Sequence, residues 1–340
     1  MPSSLSKKFK RIKTVDGISE YRLLSNGLTV LFKEDHTAPV VAVNVTYHVG
    51  SRNEVLGTTG STHILEHMLF QGAKKFDKTI WHKLENTGAK LNATTWFDRT
   101  NYYELVPKAY VALALEAEAD RMRHAKIEQK ELNTEMVVVR NEFERGENDS
   151  TEALDKVVWA TAFQAHPYHH STIGWKSDIE GVTAKKLRSF YDTYYYPNNA
   201  TLTVIGAIGR EEIFTLVNIH FGPLEKSPHE IPPMTTIEPP QEGERRVLIS
   251  RRGEQVVVMI AHKIPKGTHP DFDSLSILGT VLSGGCSARL DEALVDTGKA
   301  TRVMVFVHPF HDESLFSVVV YLNQGVSPEE VEKIVLNEYK

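Results

Sequence analysis

The sequence predicts an α+β protein of two related domains, each a mostly antiparallel sheet packed with helices. Three observations support this fold class. Strand and helix patterns alternate over roughly the first 220 residues, a proline-rich stretch interrupts them near residue 222, and the same order of elements then begins again. A chain of 340 residues also exceeds what one hydrophobic core usually supports. We therefore expect two domains.

The first domain is predicted to open with a β-hairpin. Residues 21–24 and 28–33 flank Ser25-Asn26-Gly27, where glycine tolerates the positive φ of a tight turn. A strand with one buried face follows, because apolar residues alternate along the chain at Val41, Val43, Val45, Tyr47 and Val49. Helices at 60–72 and 79–85, strands at 91–95 and 102–106, and helices through residue 165 come next. This order favours helices on one face of the sheet.

The second domain is predicted to start after a linker. Six prolines lie between residues 223 and 240, and proline disfavours both helix and central strand. Strands at 246–250 and 256–262 and a helix at 272–282 then repeat the earlier order. A last helical pattern, 328–340, runs to the final residue without a C-terminal cap, so we expect this domain to be incomplete. The predicted segments are a basic extension (1–17), a first domain (18–222), the linker (223–242) and a second domain (243–340).

Composition and charge exclude several classes of protein. The chain is 41% hydrophobic and 24% charged, which is ordinary for a globular protein. A net charge of -5 provides no broad basic field for nucleic acid, and no long apolar segment predicts a membrane span. The single Cys286 excludes an internal disulfide framework and is interpreted as structural. The basic N-terminal segment lacks the apolar core of a secretory signal, which predicts a cytoplasmic protein, or a periplasmic or secreted one if a leader is missing.

The string His63-Ile64-Leu65-Glu66-His67 carries the strongest chemical signal. On a helix, His63 and His67 lie about 40° apart around the axis and about 6 Å apart along it, so both imidazoles can reach one ion. Glu66 projects from nearly the same side. Gly60-Ser61-Thr62 before the string provides N-cap candidates. A hydrolytic zinc centre needs three protein ligands and a base, and the string supplies two ligands and the base. The alternative is a helix with two surface histidines.

A third ligand is expected on another helix. The acidic helical stretch 131–149 contains the candidates Glu131, Glu135, Glu142, Glu144 and Glu147. Glu135 and Glu142 are two turns apart and share one stripe, whereas Glu144 lies about 200° from Glu142 around the axis. The alternative interpretation of this stretch is a solvated acidic face.

The motif resembles that of the pitrilysin and insulinase family of zinc metallopeptidases (peptidase family M16), bacterial members above all. This family carries H-x-x-E-H with a distal glutamate about 75 residues later. Further matching stretches are Val49–Glu54, Asn101–Glu104 and Ser287–Leu290. The resemblance implies that Glu142 is the third metal ligand, and that Glu135 supports a histidine ligand from behind. It also implies paired α+β domains of which one carries metal.

The same resemblance implies a function. We expect a metalloendopeptidase with one Zn²⁺ per chain, in which Glu66 activates a zinc-bound water. The substrate peptide is expected to pair with an edge strand at Asn92, Ala93 and Thr94. A second pitrilysin-type half or a homodimer is the expected partner. The alternative is a non-catalytic peptide-binding or scaffold subunit, or a half-enzyme that needs its partner.

Overall fold

A computed structural model describes residues 6–251, 253 and 255–340. The chain divides into two compact units. The first contains residues 1–142 and 170–236, and the second contains 143–169 and 237–340. The sequence prediction had assigned 143–169 to the first domain. The contacts group this segment with the second unit instead, and the domain boundaries themselves stay predictions.

A mixed sheet organises the first unit. Within the described residues it has seven strands: β1 (Phe9–Val15), β2 (Ile18–Leu23), β3 (Thr29–Glu34), β4 (Val40–Tyr47), β5 (Lys90–Thr95), β6 (Thr100–Pro107) and β7 (Ala200–Gly206). Their order is β1-β2-β3-β7-β4-β6-β5. Every neighbouring pair is antiparallel except β3 and β7, which are parallel. The predicted mostly antiparallel sheet is confirmed, and β5 lies at its edge.

One face of this sheet is buried. Along β4, Val41, Val43, Val45 and Tyr47 are inaccessible to solvent while the residues between them are partly or fully exposed. The helices up to residue 220 are α1 (Ser61–Met68), α2 (Thr79–Glu85), α3 (Val111–His124), α4 (Gln129–Asn148), α5 (Ser150–Ala162), α6 (Lys176–Glu180), α7 (Ala184–Tyr194) and α8 (Arg210–His220). Of these, α5 and the end of α4 belong to the second unit. Helix α3 packs on β4 and β6, and α1 and α2 pack on β5.

The basic segment near the N-terminus differs from its prediction. Residues 1–17 were expected to form an extension, but β1 pairs with β2 and completes one edge of the sheet. Only Phe9 of this strand is buried. An edge strand with exposed side chains tolerates lysine and arginine, and such charges also discourage pairing with other chains. Residues 1–5 lie outside the described part.

The second unit has a smaller sheet. Its described strands are β8 (Val257–Ile264), β9 (Ala300–Val307) and β10 (Ser314–Leu322), with β10 between the other two and antiparallel to both. Helices α9 (Phe272–Ser283) and α10 (Pro328–Glu338) and a π-helical turn at Asp291–Val295 complete it. Its core includes Leu282, Leu290, Val318, Val320 and Val331. The predicted helices at 272–282 and 328–340 are confirmed within two residues.

The strand predicted at 246–250 is wrong, because these residues form no regular element. Polar side chains hold the irregular segment in place. Glu238 accepts backbone N–H bonds from Gln164, Ala165 and His166 at 2.9–3.0 Å. Arg245 donates to the last carbonyls of α5, at 2.7 and 3.0 Å. These contacts satisfy backbone groups after α5 without any strand pairing.

Candidate metal centre

Helix α1 is fixed at its N-terminus by a buried carboxylate. Glu54 accepts hydrogen bonds from Gly60 N at 2.8 Å and from the N and Oγ1 of Thr62, both at 2.7 Å. The N-cap of α1 is Gly60, within the predicted segment Gly60-Ser61-Thr62, but it has no side chain to cap the helix, and Glu54 from the preceding loop satisfies the amides instead. Gly60 has φ 85°, and a Cβ there would lie 2.5 Å from the Ile173 carbonyl oxygen. Glycine is required at this entry to the helix.

Glu54 is fully buried, and its environment is unusual for a carboxyl group. Burial raises its pKa to about 8, against the opposing effect of the hydrogen bonds from Thr62 and Gly60. The Nδ1 atom of His170, also buried, lies 3.9 Å from Glu54 Oε2. The first turn of α1 is thus held by polar groups that are closed off from solvent.

Helix α1 brings the two motif histidines together with Glu142 of α4. The Nε2 atoms of His63 and His67 are 3.4 Å apart, and Glu142 Oε2 lies 3.5 Å from each. Nitrogen and oxygen ligands at about 2.0–2.1 Å from a tetrahedral zinc ion lie about 3.3–3.4 Å from one another. In the part of the chain that the structure describes, these three residues form the one group of three donors suited to a metal ion. The donor set fits zinc.

The protonation of His63 agrees with a ligand role. Burial, and then the neighbouring His67, lower the pKa of His63 to about 4. The neutral imidazole therefore dominates near pH 7, and this is the form that binds metal.

Glu135 lies behind His67. Its Oε2 is 3.5 Å from His67 Nδ1, and its Oε1 accepts a 2.8 Å hydrogen bond from Gln71 Nε2. This is the arrangement expected of a group that orients a histidine ligand. Glu144 is exposed and outside the cluster. The structure thus separates the three glutamates that the sequence placed on one helix, although their roles stay predictions.

Glu66 points toward the edge strand β5. Thr95 Oγ1 donates to Glu66 Oε2 at 2.6 Å. Burial raises the pKa of Glu66, and the bond from Thr95 opposes this shift. The contact with Thr95 was missed at the sequence level. Because side chains alternate between the two faces of a strand, the sequence could show that Thr95 shares a face with Ala93, but not that this face meets Glu66.

The predicted substrate residues occupy an open edge. Ala93 and Thr95 share the face that contains Glu66, so the side chains of Asn92 and Thr94 lie on the opposite face. Trp96 N donates to Arg99 O across the turn to β6, so by alternation the N–H of Ala93 points away from β6. Its present acceptor is Asn92 Oδ1, at 2.9 Å. A backbone donor thus lies at the free edge, beside the metal cluster.

Comparison with known proteins identifies the family of the chain. A family model described as insulinase (peptidase family M16) matches residues 29–176, and one described as the peptidase M16 inactive domain matches residues 181–340. The chain is 33% identical over 321 residues to the zinc protease PqqE of Helicobacter pylori, covering 91% of this chain and 71% of the relative. The chain belongs to peptidase family M16. The predicted family and fold class are therefore confirmed.

A second relative and a solved structure also match most of this M16 chain. It is 28% identical to a probable mitochondrial-processing peptidase subunit beta of Arabidopsis thaliana, over 87% of this chain and 58% of the relative. The crystal structure of a protease from Helicobacter pylori superposes with a TM-score of 0.88 at 29% identity, covering 97% of this chain and 79% of that one. The match of the second half to an inactive domain agrees with its lack of H-x-x-E-H.

Among the described residues, no helix is both long and apolar enough to span a bilayer.

Proposed function

We propose that this M16 protein is a zinc-dependent metalloendopeptidase that hydrolyses peptides or unfolded segments. The observation that carries the proposal is the cluster itself: two imidazole nitrogens and one carboxylate oxygen lie within 3.5 Å of one another, with Glu66 on the same helix. The relatives named as zinc proteases support the same metal.

Each side chain of the site has a chemical role in this proposal. His63, His67 and Glu142 hold the zinc ion, which supplies Lewis-acid polarisation of water and of the substrate carbonyl. Glu66 accepts the proton of the attacking water and passes it to the nitrogen of the leaving amine. Burial raises the pKa of Glu66, which makes its carboxylate a stronger base than an exposed glutamate, and Thr95 holds the carboxylate in place.

The substrate class follows from the edge strand. An extended peptide that pairs with β5 is bound through its backbone, so the interaction requires no fixed side-chain sequence. The N–H of Ala93 offers a donor once Asn92 Oδ1 gives way to a substrate carbonyl. Folded proteins present few free strands, and peptides and unfolded segments are therefore the expected substrates.

A second function is favoured by the match of residues 181–340 to an inactive domain. The chain spans 58% of the Arabidopsis relative, which is named as a subunit. In this alternative the protein binds peptides or acts as a scaffold, or it is a half-enzyme that becomes active with a second M16 half or as a homodimer.

The deciding experiment is cleavage of an unstructured fluorogenic peptide by the purified, zinc-loaded chain. Glu66→Gln should retain zinc and lose turnover by several orders of magnitude, and zinc-stripped protein should be inactive until zinc is restored. Glu144→Gln is the matched control, since Glu144 is exposed and should be silent. Normal cleavage by Glu66→Gln would exclude the role of Glu66. A zinc-loaded wild type without activity would favour the binding subunit or half-enzyme.

A further inference from the structure

Arg99 is a cation held by neutral partners beside the edge strand. It lies in the turn between β5 and β6 and is exposed. Its NH1 group donates to Thr94 Oγ1 at 3.0 Å and to Asn101 Oδ1. Thr94 Oγ1 also donates to Asn101 Oδ1 at 2.7 Å, and Asn101 Nδ2 donates to Asn44 Oδ1 at 3.2 Å. This polar network fixes the guanidinium on the face of β5 that bears Thr94.

The charge of Arg99 has no counter-charge in the described structure. No carboxylate of the described residues forms an ion pair with it, whereas Arg121 pairs with Glu104 and Glu118. Partial burial lowers the pKa of Arg99 without any opposing anion, but a guanidinium stays charged in proteins. None of the described residues accepts a hydrogen bond from its Nε or NH2. These two groups form the side of a guanidinium that binds a carboxylate by two parallel bonds.

The register of β5 places one side chain of a bound peptide beside Thr94, next to the guanidinium. A residue that lies directly across from Thr94 on the open edge has its side chain on the same face, with the Cβ atoms about 4.5–5.5 Å apart. Because Thr94 Oγ1 contacts Arg99 directly, a side chain at that position comes within reach of the guanidinium. The adjoining residues of the peptide point to the other face, where Glu66 lies.

We propose that Arg99 selects substrates with an aspartate or glutamate at the residue that pairs with Thr94. The inference rests on the proposed function, because it uses the same edge strand. A carboxylate at that position forms an ion pair with Arg99, the charged member of this network. A neutral side chain gains no such contact, and a lysine or arginine is repelled.

The test is a scan of one unstructured host peptide. Glutamate is placed in turn at each position around the cleaved bond, with glutamine as the isosteric reference, and kcat/KM is measured for each pair. For the wild type we expect one position at which glutamate exceeds glutamine by about threefold to tenfold. The advantage should shrink as salt rises from about 0.05 M to about 0.5 M. A scan with no such position would overturn the proposal.

Variants assign the effect to Arg99. Arg99→Gln should abolish the glutamate advantage while turnover of the glutamine peptide is unchanged, and Arg99→Lys should retain part of it because the charge remains. Lys90→Gln is the matched control, since Lys90 is a cation on the same face of β5 at its other end. A glutamate advantage that persists in Arg99→Gln, or that disappears equally in Lys90→Gln, would contradict the assignment.

A binding assay separates this inference from the proposed hydrolysis. The same glutamate and glutamine peptides, carrying a fluorophore, are titrated with zinc-loaded Glu66→Gln and with Glu66→Gln/Arg99→Gln. Tighter binding of the glutamate peptide that depends on Arg99 supports the selection, even where the wild type cleaves neither peptide. Equal binding together with equal cleavage would refute the selection and leave the peptidase proposal standing.

Discussion

Helices α1 and α9 each follow a strand of the sheet in their own unit, β4 and β8, yet different forces position them. The N-terminus of α1 is held by the buried carboxylate of Glu54, and its other face carries histidines that meet acidic residues of α4. Helix α9 is held by apolar packing through Phe272 and Leu282, and it exposes apolar side chains at Ile277, Leu278 and Val281.

The difference shows that a few polar side chains on one helix are enough to distinguish a metal-binding α+β unit from one without a metal site. Both helices follow a strand and pack in α+β units, so a strand followed by a helix does not by itself show which unit binds metal. Chemistry resides in the few side chains that converge on α1. Helix α1 should therefore be sensitive to single polar substitutions, and α9 to the loss of apolar volume.

The largest expected effect is on metal binding at α1. Glu142→Ala should weaken zinc affinity by about 1000-fold, or about 4 kcal/mol, because it removes one of three protein ligands. Competition with a chromogenic chelator measures this directly. Glu144→Ala, two residues further along α4, is the control and should bind zinc as the wild type does. If the two variants exchanged their behaviour, the register assigned to α4 would be wrong.

The next effect tests α9. Leu282→Ala should destabilise the protein by about 3 kcal/mol, since Leu282 is fully buried in the core of the second unit. Urea unfolding followed by circular dichroism measures the change. Ile277→Ala on the same helix, at an exposed position, should change stability by less than about 0.5 kcal/mol. Similar losses in both variants would show that the exposed side of α9 is also packed in solution.

A smaller effect is expected from the support of His67. Glu135→Gln should reduce zinc affinity by about 10- to 100-fold, because the neutral amide interacts less strongly with the ring that it faces. Isothermal titration with zinc gives the affinity, and Glu131→Gln serves as the control on the same helix. An unchanged affinity in Glu135→Gln would restrict Glu135 to a structural role through Gln71.

The last comparison is a pH dependence of stability at the start of α1. The pKa of Glu54 in the folded protein, about 8, lies above the ordinary value of 4.5. The folded state therefore binds the proton more tightly, and the stabilisation is complete below about pH 4.5 and lost as pH rises through about 8. Relative to Glu54→Gln, the wild type should lose unfolding free energy between these values. Asp273→Asn in α9 should keep the wild-type slope, and a slope unchanged in Glu54→Gln would show that another group is responsible.

Local periodicity accounts for what the sequence could predict. The spacing of His63 and His67 places both on one side of a helix, and the strand and helix patterns predicted α2 at its observed bounds. The stripe that joins Glu135 and Glu142 could not assign their roles without the resemblance to the family. The structure separates them by distance, since Glu142 approaches both Nε2 atoms and Glu135 approaches His67 Nδ1.

Contacts between distant segments account for what was missed. Glu54 reaches the amides of α1 from a separate loop, and Thr95 reaches Glu66 from another strand. Contacts of this kind join separate segments, so they leave no periodic pattern in the sequence from which they could be predicted. The basic segment of β1 and the irregular residues 246–250 were misassigned for the same reason, because strand pairing is decided by neighbours in space.

The parallel pairing of β3 with β7 also governs the order in which the molecule can assemble during synthesis. Strands β3 and β4 follow each other in the chain, yet β7, at residues 200–206, lies between them in the sheet. The nascent chain therefore carries two separate three-stranded groups, with unpaired facing edges, until about 200 residues have left the ribosome. Such edges readily pair with other chains. A fragment that ends before β7 is expected to aggregate, even though it contains the whole metal cluster.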